Sequence, residues 1–134
     1  MTRPYTAKSI TEATGAGPGE DFRSKGHNSI GLFVSAPALD TDLDDLDVQI
    51  EVSPNREWWA VPRRDGNQQG SVSLADFNDQ GAAFVYVHGL PADHVRARIT
   101  TYTDTENADL VVDAWLMATN RSGSGNAFKS LPEQ

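Results

Sequence analysis

No cysteine occurs in the 134 residues of this chain, so neither a disulfide nor a thiolate metal site can be built from it. Long apolar runs are missing too. No stretch approaches the roughly 20 consecutive apolar residues that a membrane span needs. The segment Met1 to Gly19 holds Pro4, Lys8, Glu12 and Pro18 and lacks the apolar stretch of a secretory signal. A membrane is therefore not an expected partner. No window carries the i, i+3, i+4, i+7 apolar stripe of an amphipathic helix, which excludes the parallel α/β architectures. Lysine is scarce, with three residues against eight arginines.

The chain is instead rich in carboxylates. Nineteen acidic residues oppose eleven basic ones, a formal net charge of -8. Residues 1–67 hold eleven acids and seven bases, and residues 68–134 hold eight and four, so the charge is spread rather than gathered in a tail. Thirteen of the acids are Asp. At molar salt the Debye length falls to about 3 Å, and a dense carboxylate surface then repels itself little. Even acidity, abundant Asp and few Lys fit a protein adapted to brine; an ordinary acidic domain is the alternative. Nucleic acid is not an expected partner, because phosphate binding rests on clustered cations.

Period two runs through most of the sequence. Val48, Ile50 and Val52 alternate with Asp47, Gln49 and Glu51, and Val95, Ala97 and Ile99 alternate with Arg96, Arg98 and Thr100, each a strand with one buried and one wet face. From Asp109 to Asn120, Leu110, Val112, Ala114, Leu116 and Ala118 share one face. The other face carries Val111, Asp113, Trp115, Met117 and Thr119, which predicts a strand covered on both sides. Further strands are expected at Ser29–Ser35, Ala82–His88, Trp58–Val61, Ser71–Leu74, Asp21–Ser24 and Tyr5–Thr11. Asp65-Gly66 is a hairpin signal, and Ser53-Pro54-Asn55, Gly89-Leu90-Pro91 and Asp104–Asn107 read as reversals. A chain of this length makes one domain. Short strands at about ten-residue spacing predict an all-β, antiparallel β-sandwich, jelly-roll-like, with Val48, Ile50, Val52, Ile99, Leu110, Val112 and Leu116 buried.

The ends differ in composition, which divides the chain into an N-terminal arm over 1–20, a sandwich over 21–120 and a C-terminal tail over 121–134. The arm and tail are rich in Gly, Ser and Pro, and ordering such segments costs about 1–2 kcal/mol per residue. They are expected to order by packing on neighbouring copies, with Phe128 and Leu131 docking at one end and Tyr5 and Ile10 at the other.

Chemistry-bearing patterns are sparse. Asp40, Asp42, Asp44 and Glu51 fall on positions 1, 3, 5 and 12 of a calcium loop, but Asp45 stands where that loop needs Gly, and a strand follows where it needs a helix. A solvated acidic loop is the plainer reading, and no cofactor is expected. His27, His88 and His94 lack zinc-ligand spacing. No G-x-S-x-G elbow is present, and no helix start or Lys-Ser/Thr pair follows Gly15-Ala16-Gly17-Pro18-Gly19 to make a phosphate loop. Any two of the acids could meet as a glycosidase pair, but such enzymes need a cleft and are usually larger. No catalytic role is expected. Trp58 and Trp59 are adjacent, so on a strand one points inward and the other lies exposed for a partner or a sugar ring; burial of both is the alternative.

The run Val48-Gln49-Ile50-Glu51-Val52-Ser53-Pro54-Asn55-Arg56-Glu57-Trp58 resembles a pattern of small structural proteins of tailed-virus particles, in which a strand ends in Ser, a polar turn follows and a Trp opens the next strand. Those proteins go on to an arginine-bearing strand, here Val95 to Thr100, and a last strand of the type A-D-L-x-V-x-A-x-L, here Ala108 to Ala118. The resemblance spans about residues 29–120 and departs at Asn55-Arg56-Glu57, where the pattern often has Asp-Gly. With the brine-type composition it implies a virion protein of a tailed virus of haloarchaea, a decoration, turret or head-to-tail accessory subunit. Such a subunit would be homo-oligomeric, partnered by other virion proteins such as the major capsid protein, and assembled in the host cytoplasm. A carbohydrate-binding β-sandwich module that uses an exposed Trp is the alternative, and a small enzyme the third.

Overall fold

A computed structural model describes residues 5–24, 27–36, 43–90, 92–104 and 110–119. Its strands are β1 (Tyr5–Ala13), β2 (Gly17–Pro18), β3 (Phe22–Arg23), β4 (Ser29–Ser35), β5 (Asp45–Ser53), β6 (Arg63–Arg64), β7 (Asn67–Gln68), β8 (Ser71–Ser73), β9 (Ala82–Val87), β10 (His94–Thr103) and β11 (Val112–Thr119). Among the described residues the one helical element is a 3-10 turn, Leu74–Asp76. A front sheet has the order β1-β11-β4-β9. A back sheet has the order β2-β10-β5-β8, with β3 also on β10.

Every pairing is antiparallel. β1 lies against β11, β3 against β10, β4 against β9 and β5 against β8. These pairs, divided between two packed sheets, make the all-β antiparallel sandwich expected from the strand spacing. The core between the sheets follows the period-two reading. Ile30, Leu32 and Val34 of β4 and Val112, Ala114 and Leu116 of β11 face Leu46, Val48 and Ile50 of β5 and Val95, Ala97 and Ile99 of β10. Of the seven residues expected inside, Val52 alone is half-buried. Asp65 and Gly66 both have positive φ, 53° and 82°, as the two-residue turn joining β6 to β7 requires.

The N-terminal arm is a correction. Residues 5–20 belong to the sandwich. Ile10 is buried in the chain's own core, and Tyr5 packs against that core, so the contacts expected with a neighbour are made within the chain. The stitching is polar as well as apolar. Ser9 Oγ donates to the Glu20 carbonyl at 2.7 Å and accepts the Ala97 N–H at 3.0 Å. Gly19 N–H reaches the Ala97 carbonyl at 2.7 Å. Register shifts after Lys8 and after Ile10 bend β1, as bulges do, and β2 then pairs with β10 of the back sheet. Composition alone reads this segment as linker because the Gly- and Pro-rich stretch after β1 holds only the two-residue strand Gly17–Pro18.

Trp58–Val61 is the second correction: it is not a strand. β5 stops at Ser53, and Ala60 keeps only an isolated bridge to Val52. Side chains take over the intervening backbone donors. Ser53 Oγ accepts the N–H of Asn55 (3.2 Å) and of Arg56 (2.8 Å). Asn55 Oδ1 accepts those of Glu57 (2.9 Å) and Trp58 (3.1 Å). Local side-chain acceptors of this kind compete directly with ladder formation.

Candidate functional site

β11 was expected to be covered on both faces, but the structure covers one. The outer face of the front sheet is open, and the strand register fills it with apolar groups. One row across the sheet runs Lys8, Trp115, Phe33, Phe84; the next runs Thr6, Met117, Gly31, Tyr86. Phe33 and Trp115 meet edge to face at 5.8 Å, and Phe84 and Tyr86 lie 6.0 Å apart. Phe84, Tyr86 and Met117 are 52%, 56% and 40% exposed. With Trp58 they make up the exposed large apolar side chains among the described residues.

Gly31 shapes this face. A Cβ there would lie 2.7 Å from Phe84 Cε1, so only glycine lets the Phe84 ring settle over β4. The missing side chain leaves a groove of about 400 Å³ lined by Thr6, Gly31, Phe84, Tyr86, Met117 and Thr119, among others. Lys8, the charged member of these rows, is neutralised by Asp113 of β11. Lys8 Nζ sits 3.1 Å from the Asp113 carboxylate and 5.0 Å from the Trp115 ring centroid. The sequence carried a trace of this face, since Phe84 and Tyr86 alternate with Ala83, Val85 and Val87. A strand apolar on both faces reads as doubly covered, so the exposure went unseen.

The back sheet closes its outer face differently. Glu51, opposite Arg96 in the register, accepts from Arg96 Nε at 2.8 Å, from Arg98 Nε at 3.2 Å and from Gln49 Nε2 at 2.8 Å. Burial pushes the Glu51 carboxyl pKa up, but hydrogen bonds from Arg96, Gln49 and Arg98 outweigh it and hold the group below the usual carboxylate range. The Arg96 guanidinium in turn lies 4.1 Å from the Trp59 ring centroid.

Of the two tryptophans, Trp58 is 75% exposed, and half-buried Trp59 covers Arg96 rather than the core. The turn that carries Trp58 is also tied across the surface, where Arg56 Nε and an Nη meet the two Asp21 carboxylate oxygens at 2.8 and 3.1 Å. The hydrogen bond from Arg56 holds the Asp21 pKa below its ordinary value.

Asp40 and Asp42 of the calcium pattern lie outside the described residues, as do Phe128 and Leu131. Asp44 N–H bonds the Thr103 carbonyl, and Glu51 serves the two arginines instead of a cation. Among the described residues no group of three His, Asp or Glu side chains could hold a metal, and no helix is long and apolar enough to cross a membrane.

No protein-family model and no curated protein matches this chain. Among solved structures, the crystal structure of the SPBc2 prophage-derived protein YomS is similar, with a TM-score of 0.57 and 10% identity, covering 88% of this chain and 96% of that one. A chain of a nora virus structure matches with a TM-score of 0.35 and 11% identity, over 98% of this chain and 62% of that one. The first likeness is one of fold; the second is too loose to define a shared one.

Proposed function

We propose that this chain is a non-enzymatic structural subunit of a tailed-virus particle, a decoration, turret or accessory protein, that works by homo-oligomeric assembly in high salt. One observation carries the reading: Phe84, Tyr86 and Met117 stand uncovered together on one open sheet face. Contiguous apolar surface on a small domain marks an interaction site, and paired aromatics supply most of the energy at such sites. The fold shared with a prophage-derived protein and the tailed-virus pattern in the sequence support a virion setting, with assembly in the host cytoplasm. The other copies and the major capsid protein are the partners that setting offers. Charge supports assembly in brine. Copies at -8 each repel at low salt, whereas molar salt screens that repulsion and the Lys8–Asp113 pair leaves the face itself neutral.

Sedimentation velocity in molar salt tests this. The wild-type chain should sediment as an oligomer. Replacing both Phe84 and Tyr86 with Ser should weaken association at least about 30-fold, the equivalent of about 2 kcal/mol, with the melting curve unchanged. A wild-type chain that stays monomeric at every concentration rules the proposal out.

Trp58 favours a second reading, a carbohydrate-binding module. The turn network and the Arg56–Asp21 pair fix an aromatic ring in solvent, the preorganised stacking surface a sugar ring uses. A groove of about 480 Å³ beside it is lined by Pro54, Trp58, Trp59 and Asp93, among others. On this reading Trp58→Ala abolishes glycan-array binding and leaves sedimentation unchanged; a wild-type chain that retains no glycan removes it.

A further inference from the structure

We infer that the groove over Gly31 receives the C-terminal segment around Phe128 and Leu131 of a second copy of this chain. The inference rests on the assembly reading and goes beyond it by naming what fills the face.

The place where the described chain ends is the first reason. β11 finishes at Thr119, itself part of the groove's lining. Fifteen residues, 120–134, follow. Nine residue steps separate Thr119 from Phe128, a reach of about 30 Å when extended. That spans the groove of an adjoining copy whose rim lies next to this one. Phe128 and Leu131 are the sizeable apolar residues of the segment, and the groove offers Phe84, Tyr86 and Met117 to receive them. A Phe ring set against these aromatics gains edge-to-face or offset-stacked contacts beyond its area burial.

Charge is the second reason. Residues 120–134 hold Arg121, Lys129 and Glu133, a net of +1, so the rest of the chain carries -9. A segment of net +1 can approach a neighbouring copy without the repulsion that separates the copies' carboxylate surfaces.

Direction favours a neighbour over the same chain. Thr119 ends β11 at the groove's own rim, so a tail that fills the same chain's groove must turn back within the nine residues before Phe128. A tail arriving from another copy can enter directly. Each copy then gives one tail and offers one groove, a head-to-tail contact that closes into a ring when the rotation permits.

The absence of cysteine makes the test clean. Full-length Ala127→Cys, which keeps Phe128, is mixed with full-length Thr6→Cys, which lies on the groove wall and keeps its aromatics. The mixture is oxidised in molar salt, and the disulfides are read by peptide mapping. A disulfide between the two chains, at least tenfold above an Asp76→Cys control on the 3-10 turn and suppressed by Phe128→Ser with Leu131→Ser, is the expected result. A bond confined to single chains of the Ala127→Cys, Thr6→Cys double variant places the tail in its own groove and overturns the inference. An oligomer that forms without any such bond also overturns it while leaving assembly through this face intact. A monomer under all conditions overturns both.

Discussion

Replacing Ile50 with Ala should lower the unfolding free energy by about 2–5 kcal/mol, the range for cavity-forming core truncations. Ile50 is fully buried in the middle of β5, which is held on one side by β10 and on the other by β8. The site has little freedom to collapse. Ile50 N–H bonds the Gly70 carbonyl at 2.8 Å, Ala97 faces it across the ladder, and a Cβ at Gly70 would meet its Cδ1 at 2.9 Å. A rigid lining preserves the void, so the cost belongs in the upper half of the range. Leu116→Ala on β11 should behave alike, because it holds the corresponding place in the front sheet. Ile50→Val, which removes one methylene, should cost about 0.5–1.5 kcal/mol. Urea unfolding at constant m-value provides the measurement; a loss below 1 kcal/mol for the Ala variant would mean that the sheets repack around the gap.

The residues that make this prediction possible are the ones sequence reading handles best. Val48, Ile50, Ile99, Val112 and Leu116 repeat every second position, and burial on one sheet face is the direct consequence of that period. Other features depend on which strands become neighbours, and no local pattern encodes that. Phe84 looks like a core residue until β9 is known to be an edge strand of the front sheet, with its alternate face outward. Gly31 reads as a weak point in a strand until Phe84 is found lying over it. Glu51 falls on a calcium-loop position when counted along the chain, yet its partners come from Arg96 and Arg98, more than forty residues away. Trp58 was placed on a strand because the hydrogen bonds that break the strand come from Ser53 and Asn55 side chains, whose roles a propensity count does not assign. The N-terminal strand is expected from the sequence, but its place in the chain's own sandwich is not, for a related reason: Ser9 meets Ala97 only when β10 arrives beside it.

Glu51→Gln should cost about 2–4 kcal/mol, toward the low side of the range for breaking a buried ion pair, because Arg98 keeps a third of its side chain in water. The substitution preserves shape and one acceptor oxygen, so the loss reports charge. Arg96, with 15% of its side chain exposed, is left against the Trp59 ring with no carboxylate to neutralise it. The acid dependence gives an independent readout. Because the folded pKa of Glu51 is depressed, its contribution is fully present above the unfolded value of about 4.3 and is lost as pH falls through the lower folded value. The wild-type chain should therefore hold this stability from neutral pH down to about pH 4.5 and lose it below that. Glu51→Gln starts lower and declines less steeply in acid, so the two stabilities converge as the pH falls through the depressed folded pKa of Glu51. Urea unfolding at neutral pH and in acid measures both quantities. Equal acid slopes in the two proteins would show that Glu51 is not held below the ordinary range and that the Arg96–Glu51–Arg98 cluster packs the face without contributing charge stabilisation.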